Sequence, residues 1–282
     1  GDLSALEGDQ WDAVVDTCGY VPRIVRQSAR KLVKSVNQYA FISTGVVYSD
    51  LSQPGFDESA PLHPRPRSKG DAVTPDTYGP FKAECERVID KLYPDNALHV
   101  RAGLIVGPHD PTDRFTYWPV RVARGGRIAA PVRPDLPVQF IDARDLGVWL
   151  LNRLEAGDAG AYNVSGPEMT LTFGKMLEAC QKVCASETDI RWIPEELLKE
   201  HDVTPFREMP LWIPEDSPSA GLLRMDITKA VESGLFCRSL EETVRDLLRW
   251  NAGRAAGYQL QAGCPPEKEQ ALITAEERAR TG

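Results

Sequence analysis

Between residues 11 and 165, short apolar runs of strand length alternate with stretches of helical periodicity. That alternation restricts the chain more than any other feature. Runs at 11–18, 39–43, 98–106 and 161–164 each end in turn residues: Thr17-Cys18-Gly19, Ser43-Thr44-Gly45, Gly107-Pro108 and Ser165-Gly166-Pro167. Pro22 suits a first helical turn, and Val25, Ala29, Leu32, Val33 and Val36 follow at helical spacing. Phe81, Cys85, Val88, Ile89 and Leu92 form the apolar stripe of a helix over 78–92. A run at 138–141 leads into an amphipathic helix over 144–154, closed by Gly157. Strands separated by helices pair in parallel through right-handed crossovers, so the expected class is α/β with a parallel sheet. Ligands of such sheets bind at the carboxyl ends of the strands, where Thr17, Thr44 and Gly107 fall.

From residue 170 the character changes. Helices over 173–184 and 195–201 flank loops rich in Pro and Trp. Ser239-Leu240-Glu241-Glu242 is a capping box opening a helix to Trp250, and a last helical stretch lies near Glu276. We therefore expect a sheet domain over 1–168 and a smaller, mostly helical lobe over 169–282, with parts of the two interleaved. The polar, Pro-rich segment 49–75 is long for a plain connection, which favours a functional role.

Composition removes several classes. The net charge of −8, with no long basic cluster, argues against a phosphate-backbone binder and hence against nucleic acid. The apolar runs are too short to span a bilayer. Six scattered cysteines without a CxxC suit a reducing cytosol, so a cytoplasmic location is expected. Cys180 and Cys184 share a helix face and read as a core pair; no metal site is expected. His63 and His201 read as surface residues.

The chemistry concentrates in Tyr78-Gly79-Pro80-Phe81-Lys82. Four residues on a helix place Tyr78 and Lys82 on one face, about 6 Å apart along the axis. An ammonium that close favours the phenolate and should lower the Tyr78 pKa, fitting the phenol to pass a proton while hydride moves. Pro80 is tolerated if it lies near the helix start. Thr44 ends the preceding strand and can reach the same substrate oxygen.

Four stretches occur in order: 41–48 (FISTGVVY), 78–84 (YGPFKAE), 101–108 (RAGLIVGP) and 140–146 (FIDARDL). Together they resemble the NAD-dependent epimerase/dehydratase family, the extended short-chain dehydrogenases/reductases, over about residues 11–165 and loosely beyond. The resemblance implies a Rossmann-like sheet with helices on both faces, and a catalytic triad of Thr44, Tyr78 and Lys82. It implies that Thr44 orients the substrate oxygen, that Tyr78 is the acid/base, and that Lys82 binds the nicotinamide ribose. Thr17, Cys18, Gly19, Gly107 and Pro108, with Tyr78 and Lys82, would border NAD or NADP. Gly45, His109, Arg114, Trp118 and Trp212 would face a small polar substrate, of which a nucleotide sugar is one example. A homodimer is a further expectation.

Two departures stand out. Sugar 4,6-dehydratases carry Asp-Glu after the Thr, where this chain has Gly45 and Val46, so dehydration by that route is not expected. The glycine-rich turn that seats a pyrophosphate on a helix N-terminus is absent: there is no GxGxxG or GxxGxxG. The expectation is therefore a sheet missing its N-terminal strands, ~50 residues before Gly1, with a bare strand edge near Val14. Two alternatives stay open: a non-catalytic binding relative, as some chloroplast RNA-binding proteins are, and a fragment whose sheet a partner completes.

Overall fold

The computed structural model describes residues 3–6, 8–66 and 70–281. In chain order the elements are β1 (Trp11–Asp16), α1 (Pro22–Leu32), β2 (Val36–Ile42), α2 (Pro75–Asp90), β3 (Ala97–Ala102), β4 (Leu104–Val106), α3 (Tyr117–Ala123), β5 (Gly126–Pro131), β6 (Pro137–Val138), β7 (Phe140–Asp142), α4 (Ala143–Glu155) and β8 (Gly160–Val164). There follow β9 (Leu171–Thr172), α5 (Phe173–Cys184), β10 (Thr188–Ile193), α6 (Glu195–Glu200), α7 (Thr228–Glu232), α8 (Leu240–Ala252) and α9 (Pro266–Thr281).

The main sheet has the order β1-β2-β3-β8, every pair parallel. It is covered on both faces. Tyr39 and Phe41 of β2 point to a cluster with Val25, Ala29 and Leu32 of α1 and Cys85 and Ile89 of α2. Ala40, Leu98 and Val100 point the other way, to Leu146, Trp149 and Leu150 of α4. That is the period-two alternation of a strand read from both sides. Among the described residues β1 pairs only with β2, and none of its six residues is fully buried.

The second core draws on both halves of the chain. Phe115, Trp118, Ile128 and Phe140 join Phe173, Met176, Ile193, Trp212, Leu247 and Leu272. β5 pairs in parallel with β10, and β6 runs antiparallel to β9. This second core thus draws on the segment between β4 and β7 and on residues after 168, while Ala230 and Leu235 join the core of the main sheet. The long segment after Tyr48 is fastened to this lobe: Gly221 N–H donates to Leu51, Gly55 N–H to Arg224 and Asp226 N–H to Phe56.

Several sequence expectations need correction. The single strand over 98–106 is two, divided at Gly103: β3 pairs with β8, whereas β4 turns to β7. Gly103 is the pivot because a Cβ there would collide with Ser165 Oγ. Val36 begins β2 rather than continuing α1. α2 starts at Pro75, fixed by a reciprocal cap between Thr74 and Thr77, so Pro80 lies inside the helix rather than at its first turn. The Asp76 carbonyl that loses its partner to Pro80 is on an exposed residue, where water can serve it. β5 and β10 escaped notice because Gly125 and Gly126, both at positive φ, precede an Ala-rich strand whose partner lies sixty residues on. His63 and His201 are half-buried rather than surface residues; His201 Nδ1 lies 2.9 Å from the Leu197 carbonyl.

Cys180 is buried and Cys184 half-buried in the lobe core, and all six cysteines are free. Among the described residues no cluster of His, Cys, Asp or Glu could hold a metal ion, and no helix is long and apolar enough to cross a membrane.

Candidate active site

β2 ends at Ile42, and the chain then turns through Ser43 and Thr44. The Thr44 hydroxyl accepts from Val46 N–H at 3.3 Å, capping one turn of 3-10 helix over 45–47. The Tyr78 phenol is near enough to this hydroxyl for Thr44 to act on its pKa. Tyr78 sits in the first half of α2, and Lys82 follows on the same face one turn later. Lys82 is 3% exposed. Its ammonium donates to the Gly19 carbonyl at 2.9 Å and the Ile42 carbonyl at 2.6 Å, and stands 4.0 Å from the Phe41 ring centre. Thr17, Thr44, Tyr78 and Lys82 border one cavity of about 540 Å³ at the carboxyl ends of β1 and β2. Pro108, His109, Asp110 and Arg114 line it as well.

One turn beyond Lys82, Glu86 is 1% exposed. Its carboxylate accepts from Ser43 Oγ at 2.5 Å and from Arg101 Nη2 at 2.8 Å. Arg101 also donates to the Tyr48 hydroxyl at 3.0 Å, and Tyr48 in turn donates to Asn163 at 2.6 Å. A dry polar network therefore ties α2 to the ends of β2, β3 and β8 directly behind the cavity.

The electrostatics differ from expectation. Burial pushes the Tyr78 phenol above its ordinary value; the nearby Thr44 hydroxyl opposes this and neighbouring Tyr20 adds to it. The lowering expected from Lys82 is not seen: burial, Thr44 and Tyr20 account for the shift. Burial pushes Lys82 itself down to about 8, against the opposing pull of Cys85, Asp16 and Glu86.

The expected cofactor-side residues divide. Thr17 and Pro108 line the cavity. Gly19 sits beneath it and offers its carbonyl to Lys82; a Cβ there would lie 2.7 Å from both Phe41 and Val25. Gly107, at φ +113°, lies against Asp142, where a Cβ would stand 3.3 Å from the carboxylate. Cys18 is exposed and is not part of the lining; its N–H donates to Asp16 at 3.0 Å.

The expected substrate-side residues divide as well. His109, held at φ +70° with its ring 5.4 Å from Trp250, lines the cavity, as does Arg114, whose guanidinium lies 4.7 Å from the Phe206 ring. Gly45 is buried against Met225, off the lining. Trp118 and Trp212 do not face the cavity and are corrected to core residues. Trp118 is fully buried against Phe173 and donates its indole N–H to the Pro210 carbonyl at 3.1 Å; Trp212 is 1% exposed in the same core. Their large apolar rings gain more from complete burial than from a cavity wall.

The lining also takes in residues that the sequence reading does not single out, among them Tyr20, Asp110, Phe206 and Leu222. Tyr20, whose ring centre is 6.2 Å from that of Tyr78, directly follows Gly19, and Asp110 falls inside the 109–114 stretch, so both were within reach. Phe206 and Leu222 carry no local signal; only the lobe brings them there.

No family profile and no curated protein matches this sequence. Solved structures do match. UDP-glucuronic acid 4-epimerase from Bacillus cereus, in complex with UDP-4-deoxy-4-fluoro-glucuronic acid and NAD, is 16% identical, with 89% of this chain and 78% of that one covered at a TM-score of 0.60. UDP-N-acetylglucosamine 4-epimerase from Bacillus cereus is 14% identical over 86% of this chain and 79% of that one, TM-score 0.58. RMD from Pseudomonas aeruginosa, complexed with NADPH, is 17% identical over 85% and 81%, TM-score 0.55. This chain thus shares the Rossmann-like fold of nucleotide-sugar epimerases and of a protein solved with NADPH.

Proposed function

We propose that this protein is an NAD- or NADP-dependent oxidoreductase or epimerase acting on a hydroxyl or carbonyl of a small polar molecule, a nucleotide sugar being one candidate. The observation that carries the reading is that Thr44, Tyr78 and the buried Lys82 line one cavity at the carboxyl ends of the strands. The fold shared with structures solved with NAD or NADPH supports it.

The residues present fit the nicotinamide end of such a cofactor. The buried Lys82 ammonium and the Tyr78 phenol line one cavity at the strand ends, and the Gly19 carbonyl holds the ammonium in place. Thr17, Lys82 and Pro108 would hold that end. When bound, the cofactor supplies or takes up hydride. The protein's own task is the proton. Tyr78 donates its phenolic proton to the substrate oxygen in reduction and recovers it in oxidation, and Thr44 fixes that oxygen by a second hydrogen bond. Lys82, whose burial lowers its pKa to about 8, would bind the cofactor's ribose rather than tune the phenol. Val46, Leu222 and Phe206 bring apolar atoms to the cavity and keep it dry, which strengthens each of these contacts.

The test follows hydride transfer by NAD(P)H absorbance with the wild type and Tyr78→Phe. Loss of the phenol should lower turnover by roughly 10²-fold or more, while fluorescence titration shows NAD(P)H binding unchanged. Lys82→Met should weaken that binding. Full turnover by Tyr78→Phe would overturn the assignment.

A further inference from the structure

Asp113 is fully buried between Thr112 and Arg114, which both border the cavity, yet it is not part of the lining itself. Its carboxylate is committed to a distant segment, the strap that follows α8. Oδ1 accepts from Arg254 Nη1 at 2.7 Å, and Oδ2 accepts from the Tyr258 hydroxyl and from Gln261 N–H, each at 3.0 Å. Three donors thus converge on one carboxylate. Hydrogen bonds to an ionised acceptor shielded from water are stronger than exposed ones and fix geometry more tightly.

The strap has little else to hold it. No residue of 252–261 is fully buried, and Leu260 packs only partly on the lobe core. The Arg254 guanidinium stands 4.1 Å from the Trp250 ring centre and 3.8 Å from that of Tyr258. Trp250 in turn meets the His109 ring at 5.4 Å. The C-terminal end of α8 and the strap therefore touch the cavity loop twice, at His109 and at Asp113. These are the two positions of 109–114 where the backbone is held at positive φ, +70° and +56°. Such a conformation lasts only where its surroundings enforce it. By contrast, the buried pair of Arg121 with Glu269 ties α3 to α9, and neither residue borders the cavity.

We propose that Arg254 and Tyr258 are positioning residues of the active site. Acting through Asp113, they hold the loop 109–114 in the conformation that sets His109 and Arg114 on the cavity lining. Neither touches the reacting atoms. The proposal rests on the oxidoreductase reading for what the cavity does, but not for how its wall is held.

The test joins hydrogen–deuterium exchange with kinetics. Arg254→Met should speed exchange in 109–114 and leave β2 and α2 unchanged. With UDP-glucose as probe and NAD as hydride acceptor, its KM should rise roughly ten-fold or more, with kcat within about three-fold of wild type. NADH binding, by fluorescence titration, should not change. Arg254→Lys should restore part of the loss. Tyr258→Phe, at an exposed ring, should show the same changes in smaller measure, which keeps the test open if Arg254→Met fails to fold. Arg249→Met, at an exposed pair with Asp246, is the control and should behave as wild type. Unchanged exchange in 109–114, exchange that rises equally throughout the protein, or a loosened loop with wild-type KM would overturn the proposal. If the wild type moves no hydride from this probe, the failure lies with the reaction or the sugar. Exchange then decides the clamp alone: faster exchange confined to 109–114 upholds it, and unchanged exchange sinks it.

Discussion

Gly79 and Val46 stand so close that a Cβ on Gly79 would overlap the Val46 carbonyl oxygen. That contact brings α2 down onto the turn after Thr44, and Tyr78 and Thr44 line the same cavity. A hydrogen is the largest group the gap admits, and the obstacle is backbone, which cannot rotate aside.

Gly79→Ala should therefore separate Tyr78 from Thr44. We expect a loss of about 1–3 kcal/mol in stability, the usual cost of overpacking, and a fall in kcat larger than any change in cofactor affinity. Urea denaturation together with steady-state kinetics checks both. An alanine variant with wild-type stability and kcat would show that the approach is not required.

Lys82 gives a pH signature. Its folded pKa, about 8, lies below the ordinary 10.5. Between those values the unfolded chain binds more protons than the folded one, so stability from this group rises as pH rises from 8 toward 10.5. Below pH 8 both states carry the charge and the burial cost is felt in full. Relative to Lys82→Met, the wild type should thus gain in Tm as the pH goes from 7.5 to 9.5, whatever the offset between them at neutral pH. Thermal melts of the two proteins across that range are the check, and a constant gap would count against a strained amine.

The Glu86–Arg101 pair is sequestered, with exposures of 1% and 5%. Arg101→Met leaves a buried carboxylate answered only by Ser43 and should cost about 3–5 kcal/mol. Replacing both partners, as Arg101→Met with Glu86→Leu, should recover a large part of that loss. Chemical denaturation of the single and double variants measures it; a double variant no better than the single one would mean that the pair is not the source of the cost.

Trp118→Phe tests the reassignment of that side chain. The indole hydrogen bond to Pro210 is lost and its carbonyl is left in the core, so a cost of about 1–3 kcal/mol is expected. Substrate KM should not move. A KM change without a stability change would return Trp118 to the cavity wall.

The apolar periodicities were legible because they depend only on neighbours in sequence. Strand-length runs and helical stripes located β1, β2, α2, α4 and α5 nearly where they lie, and the four-residue spacing put Tyr78 and Lys82 on one face. Position along a helix does not decide which way an ammonium points, and here Lys82 turns to the carbonyls of Gly19 and Ile42, made available by α1, β2 and α2 packing together. Gly103 looked like one more strand residue; only the contact with Ser165 shows why the strand divides there. Trp118 and Trp212 read as binding aromatics because a sequence shows an indole but not the core that surrounds it. Phe206 and Leu222 reach the cavity through the lobe, far from Tyr78 in sequence. Periodicity and spacing are set by local geometry and so survive in the sequence alone. Burial, pKa and the partners of the Lys82 ammonium arise from groups distant along the chain, and only folding determines what each of them meets.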